Sequence, residues 1–313
     1  MEKEKLIKLF DYLNGRQHSA EAIKTEIATV NPKLGNEFYE KLNSETFDAH
    51  GGFKSCVYWG DKKVFAMLKS KTPYCIEAID ETNKISNELL KLNRRFIAHG
   101  VLTPKIYSMF FADERYIEIQ KRVVGEPIAL IRTSSLQTKS GEQIDDDYAY
   151  QKIYEHNINM QQTLLKAPQE QFNELFKSFV ILNGFGFSVE DSHGENIMYG
   201  EKGFSIIDLN YYDYYQRETH YVYNEPPSMI SCVYDFVKAF SYSNDSHFSL
   251  LQQAKIKRNN IKVLSKLFEA VGSQHTGIDI NSLEYPLRRM FGDSWKRCAR
   301  EALKPRSFSI LKM

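Results

Sequence analysis

The chain has 313 residues, enough for two hydrophobic cores, and its 42% apolar and 26% charged residues are an ordinary globular composition. Lys and Arg total 41 against 40 Asp and Glu, so a formal charge of +1 gives no global reason for nucleic-acid binding. Nine Pro and sixteen Gly, beside 20 Phe and 19 Tyr, exclude a disordered or collagen-like chain.

The four cysteines (Cys56, Cys75, Cys232 and Cys298) form no C-x-x-C pair and have no His at metal-ligand spacing. Neither a zinc site nor a disulfide framework is expected. The first ten residues are charged throughout, unlike the apolar stretch of a secretory signal. No apolar run approaches the roughly 18 residues that cross a bilayer. A reducing, cytoplasmic setting without a membrane span is the expectation.

In chain order, residues 1–48 read as a helical extension. Leu6, Ile7, Phe10 and Leu13 recur at helical spacing, and a second amphipathic stretch covers 20–30. The period then changes. Residues 53–59 are apolar and aromatic, Gly60-Asp61-Lys62-Lys63 is a turn, and 64–69 alternates again, which is a β-hairpin signal. Residues 76–93 return to the 3.6 period through Ile79, Ile85, Leu89, Leu90 and Leu92. Two further strands are expected over 104–112 and 116–124, separated by Asp113-Glu114-Arg115. Residues 52–124 thus read as a mostly antiparallel sheet with one inserted helix.

Beyond Gly125 the pattern is mainly helical. A polar loop covers 133–147, and helices are expected over 148–166, 169–183, 228–243, 250–272 and 282–302. Between them, short strands at 197–199 and 204–209 flank a turn at 200–203. The fold class expected is α+β: an extension over 1–48, a β-rich lobe over 49–124, and a larger helical lobe over 125–313.

A few polar residues stand out by order and context. Lys69 ends an interior strand, where an ammonium is costly to bury without a partner. Glu88 follows on the one helix that interrupts the sheet, with Glu81 and Glu77 as rivals. Far downstream come Asp191-Ser192-His193-Gly194-Glu195-Asn196 and then the strand pair ending in Ile206-Ile207-Asp208-Leu209. An Asp-x4-Asn match alone arises about once by chance in a chain this long. The ordered set carries more weight: two strands and a turn between Asn196 and Asp208 return both to one side of a hairpin. There two oxygen ligands suit a hard cation such as Mg²⁺ beside phosphates.

This ordered set resembles the protein-kinase-like superfamily, including eukaryotic-type protein kinases and small-molecule kinases of the aminoglycoside and choline type. The resemblance covers roughly residues 50–240 and implies a bilobal fold, with ATP and Mg²⁺ (or Mn²⁺) as cofactors. Carried over, it assigns the phosphate-covering turn to Gly51 and Gly52 and the phosphate-holding Lys to Lys69. Its helix partner becomes Glu88, the catalytic base Asp191, and the metal ligands Asn196 and Asp208. Gln120 to Val123, with Gln120 and Arg122 as nucleotide-contacting residues, match the connector between lobes.

The chain departs from the family pattern in several places. The hairpin His50-Gly51-Gly52-Phe53-Lys54-Ser55-Cys56-Val57 has fewer glycines, and the usual His-Arg before the catalytic Asp is Val189-Glu190. Without that Arg, a phosphate on the activation segment has no partner. The usual Asp-Phe-Gly is Asp208-Leu209-Asn210, and His193 stands where protein kinases keep a Lys. Asp235 reads either as the helix acid that braces the catalytic loop or as a plain exposed acid.

The expected activity is phosphoryl transfer to a hydroxyl, first on a protein and second on a small molecule such as an aminoglycoside, choline or sugar. A pseudokinase docking module is the reading from a different class. Tyr211, Tyr212, Tyr214, Tyr215, Tyr221 and Tyr223, ahead of Pro226-Pro227, suit a peptide platform. The added terminal helices also resemble bacterial effector kinases that act inside a host cell. Finally, Arg288, Arg289, Lys296, Arg297, Arg300, Lys304 and Arg306 face only Asp293 and Glu301 within 288–306. They read as a solvated face or as a docking patch for a polyanion.

Overall fold

A computed structural model describes residues 2–50, 54–68, 79–112, 115–129, 146–187, 194–207, 209, 229–240, 248–272 and 279–304. The fold is α+β, and the chain divides into two compact units. The first contains residues up to His99 together with Thr103–Val123; the second contains Gly100–Leu102, Val124–Leu209 and the helices from Met229 onward.

The first unit opens with α1 (Glu2–Leu13), α2 (Ala20–Val30) and α3 (Pro32–Ser44). Ser19 caps α2 by accepting the Ala22 amide at 3.2 Å. Asn31 serves both neighbouring helices: its amide closes α2 on Ile27 O, and its Oδ1 accepts the Leu34 amide at 3.1 Å to start α3. Pro32 follows in the first turn of α3, where its missing N–H costs nothing. Gly35 lets the two helices touch, since a Cβ there would lie 2.6 Å from Lys24 O. The buried face of α1 is Leu9 and Leu13, whereas Ile7 of the expected stripe is exposed.

The sheet of this unit contains β1 (Gln17–His18), β2 (Ala49–His50), β3 (Lys54–Trp59), β4 (Lys63–Leu68), β5 (Ile106–Ala112) and β6 (Arg115–Lys121). Its order is β1-β5-β6-β4-β3-β2. Gly60, at φ +59°, makes the β3–β4 turn that the sequence places there. A long helix, α4 (Ile79–His99), runs between β4 and β5. Asn93 ties it to the start of β5 by donating to Pro104 O at 3.1 Å and accepting the Ile106 amide at 3.0 Å.

The extension over 1–48 belongs to this sheet. Val57, Phe65, Ile117 and Ile119 project to one face, and α1–α3 bury them under Leu13, Ile23, Ile27 and Phe38. Phe38 sits 4.6 Å from Phe65, which in turn stacks on Trp59 at 5.3 Å. In addition, β1 joins β5 in parallel through Gly15 N to Met109 O at 2.9 Å and Phe111 N to Arg16 O at 3.0 Å. The sheet expected over 52–124 therefore gains a parallel edge strand from the helical segment. A two-residue strand is too short to show alternation, so no local pattern announces it.

The second unit has a three-stranded sheet of β7 (Glu126–Pro127), β8 (Ile197–Gly200) and β9 (Gly203–Ile206) in sequence order. Its helices are α5 (Asp146–Lys166), α6 (Gln169–Gly184), α7 (Met229–Phe240), α8 (Leu250–Val271), α9 (Glu284–Phe291) and α10 (Trp295–Ala302). Phe172, Phe176 and Phe179 of α6 surround Phe236 of α7 with ring separations of 5.5, 5.5 and 5.0 Å. The single helix expected over 282–302 is broken, because Gly292 takes φ +57° and a short turn over Gly292–Ser294 separates α9 from α10. No helix among the described residues is long and apolar enough to cross a membrane.

Candidate functional site

The β8–β9 hairpin organises the described part of the site. Ile197 pairs with Ile206, and Asn196 O accepts the Ile207 amide at 2.8 Å. Position 207 is thus held across from Asn196, at the end of the hairpin where the chain continues into Asp208. Asn196 closes a short turn over Gly194–Asn196. That turn is pinned to the chain just after β7: Ala129 N donates to Gly194 O at 3.1 Å and Ile128 N to Ile197 O at 2.9 Å. Gly194 is buried, and a Cβ on it would lie 2.5 Å from Ala129 Cβ and 3.1 Å from Met160 Sδ. A glycine is needed there because the turn lies directly against α5 and β7.

The other end of the hairpin is equally tight. A Cβ on Gly200 would lie 2.3 Å from Val124 O and 3.1 Å from Gly125 Cα. Leu102 O accepts the Ile206 amide at 2.5 Å, and its own N–H donates to Ser178 Oγ of α6 at 3.0 Å. In the same unit, α6 ends in a glycine turn, with Gly186 at φ +70° and the Phe187 amide on Leu182 O. Asp235 of α7 is half-buried, and its Oδ2 accepts Asn183 Nδ2 at 3.1 Å. Asp235 is therefore not a plain exposed acid: it is tied to the end of α6, while the loop that it would brace lies outside the described residues.

In the first unit, Gln120 lies at the end of β6 between Val64 and Ile106. The Arg122 amide donates to Lys62 O at 2.9 Å, and Nη1 donates to Gly60 O at 3.2 Å. The guanidinium also stacks 3.8 Å from the Tyr58 ring centroid. Arg122 thereby clamps the β3–β4 hairpin instead of projecting free. Asp48, just before β2, accepts from Lys41 Nζ at 2.6 Å and from the Tyr58 amide at 2.8 Å. Burial pushes the Asp48 carboxyl up, but these two hydrogen bonds outweigh it and hold it below its ordinary value.

Glu88 occupies a different setting from the one expected. It stands on the solvent side of α4 with 46% of its side chain exposed, and its Oε1 lies 2.7 Å from Lys91 Nζ. The buried residues of α4 are Ser86, Leu89, Leu90, Leu92, Asn93 and Phe96. The carboxylate that sequence analysis missed is Glu118, on central strand β6 and only 2% exposed. Its signal was an acid inside the apolar alternation Tyr116-Ile117-Glu118-Ile119, where a buried charge demands a partner.

Gly51, Gly52, Lys69, Glu77, Asp191, His193 and Asp208 lie outside the described residues, as do the side chain of Glu81 and the tyrosine-rich segment 210–227. Arg288, Arg289, Lys296, Arg297 and Arg300 are all exposed. Arg288 Nε pairs with Glu284 Oε1 at 2.7 Å, and Lys296 Nζ sits 5.3 Å over the Trp295 ring. Among the described residues, no three His, Cys, Asp or Glu side chains gather as a metal site. No protein-family model matches the sequence, and no curated protein matches it.

Proposed function

We propose that the chain is an ATP- and Mg²⁺-dependent phosphotransferase with a bilobal protein-kinase-like fold, acting on a protein Ser or Thr hydroxyl. The observation that carries this reading is the Asn196 O to Ile207 N bond at the end of the β8–β9 hairpin. It supports Asn196 and Asp208 as neighbours, and an amide oxygen with a carboxylate is a donor set suited to Mg²⁺ or Mn²⁺. The bound ion would supply charge neutralisation for the nucleotide phosphates.

The chain's own residues have simple tasks in this scheme. Asp191 accepts the acceptor hydroxyl proton as its oxygen bonds to the γ-phosphorus and the bond to the departing ADP oxygen breaks. Lys69 orients the phosphates, and Gly51-Gly52 covers them. The Asn183–Asp235 bond supports a fixed start for the catalytic segment, because it braces the helix end that leads into it.

Transfer of radiolabel from ATP to casein, a basic protein and an aminoglycoside panel tests the activity and separates a protein acceptor from a small-molecule one. Asp208→Ala should abolish transfer and weaken Mg²⁺-ATP binding, whereas Asp191→Ala should abolish transfer and leave nucleotide binding nearly intact. Equal loss of ATP affinity in both variants would overturn the division of roles. Absence of Mg²⁺-dependent ATP binding in the wild type would overturn the enzyme itself.

A further inference from the structure

Charge is segregated in this nearly neutral chain. Residues 248–304 carry eleven Lys and Arg against five Asp and Glu, a net of +6 in a chain whose total is +1, so everything else sums to −5. The helices that carry this excess are joined side by side. Lys257 of α8 donates to Ser294 Oγ before α10, and Ser265 of α8 donates to Ala302 O at its end, at 2.9 Å. Eight residues of each helix separate the two contacts, so α8 and α10 run parallel in register.

The outer side of α8 is ordered in a particular way. Leu251, Lys255, Arg258 and Lys262 are exposed, and Glu269 follows on the same side two turns further on. At the helical 100° per residue they fall within an arc of roughly 60°. Leu250 and Leu251 are 83% and 85% exposed, the largest apolar exposures among the described residues. They are not at a fraying end. Ser249 and Gln252 form a reciprocal capping box, and Gln253 Nε2 donates to Phe248 O at 2.6 Å. Phe248 itself is buried, 5.9 Å from the Tyr154 ring and packed with Ile256. The fold therefore holds Leu251 in water at the tip of a cationic stripe, with Leu250 about 100° round the first turn beside it.

We infer that this surface docks on an anionic lipid bilayer, with Lys255, Arg258 and Lys262 at the headgroups and Leu250–Leu251 inserted at the acyl boundary. Cations alone would fit any polyanion. The leucine pair decides for a bilayer, because a bilayer offers both negative headgroups and an apolar layer within a few ångströms. The exposed Arg297 and Arg300 of the adjoining α10 extend the same positive field. This inference does not rest on the phosphotransferase reading.

The test is cosedimentation of the full chain with phosphatidylcholine vesicles, with and without phosphatidylserine. Sedimentation should require phosphatidylserine and weaken as salt is raised. Arg258→Glu with Lys262→Glu should abolish it, and Leu250→Ser with Leu251→Ser should weaken it about tenfold. Circular dichroism spectra should match wild type in both variants, since all four side chains are exposed. Failure to sediment with phosphatidylserine, or equal binding to neutral vesicles, would overturn the inference. Unchanged binding in the leucine variant, or binding to inositol hexakisphosphate without binding to vesicles, would also overturn it, in favour of a soluble polyanion.

Discussion

Lys41 Nζ of α3 lies 2.6 Å from Asp48 Oδ1, immediately before the strand that leads to Gly51 and Gly52. Through Asp48 Oδ2 the same pair holds the Tyr58 amide on β3, so α3 anchors both sides of that turn. Burial lowers the Lys41 pKa, but its hydrogen bonds to Asp48 and Glu37 outweigh this and raise it above its ordinary value. The helical extension is thus wired to the hairpin proposed to cover the phosphates.

Asp48→Asn should cost about 1 kcal/mol, read from urea midpoints, since the pair is only partly buried. The folded carboxyl titrates below 3.8, so this contribution is complete above that pH and is lost as pH falls through the folded value. Lys41→Arg should retain it. If the hairpin serves nucleotide, Asp48→Asn should also raise the KM for ATP more than it lowers kcat.

His156 on α5 is buried, and burial pulls its pKa from 6.5 down to about 4. The unfolded chain then binds the proton more readily than the folded one. Stability from this group is full above pH 6.5 and falls as pH drops toward 4, by at most about 3 kcal/mol. Acid unfolding of wild type and His156→Phe, normalised at neutral pH, checks it; parallel curves would refute the assignment.

Gly200 and Gly60 offer a matched pair. Gly60→Ala meets nothing within 4 Å and should cost about 1 kcal/mol, from its φ of +59° alone. Gly200→Ala puts a Cβ against Val124 O and Gly125 Cα, both backbone atoms. It should cost 2 kcal/mol or more, roughly the range for overpacking. Thermal melts compare the two, and a milder effect at Gly200 would mean that the hairpin relaxes freely.

Glu88→Gln should lower turnover by no more than about threefold, because its carboxylate is committed to Lys91 on the exposed side of α4. A loss of about a hundredfold that does not add to the loss in Lys69→Met would restore the pairing of Glu88 with Lys69.

Local pattern determined much of this protein. The period of apolar residues places α2, α4, α6 and α8, and the Gly60 turn places β3 and β4, because each signal lies within a few residues along the chain. The spacing from Asn196 to Asp208 likewise foretells the hairpin that holds position 207 across from Asn196. Only tertiary structure decided the rest. The pairing of β1 with β5, the cover that α1–α3 lay on the sheet, the capture of Glu88 by Lys91 and the burial of Glu118 depend on which faces meet. So does the joining of α8 to α10 through Lys257 and Ser294. Partners far apart in sequence leave no periodic mark, because burial of a side chain is set by the surface it meets and not by its neighbours along the chain.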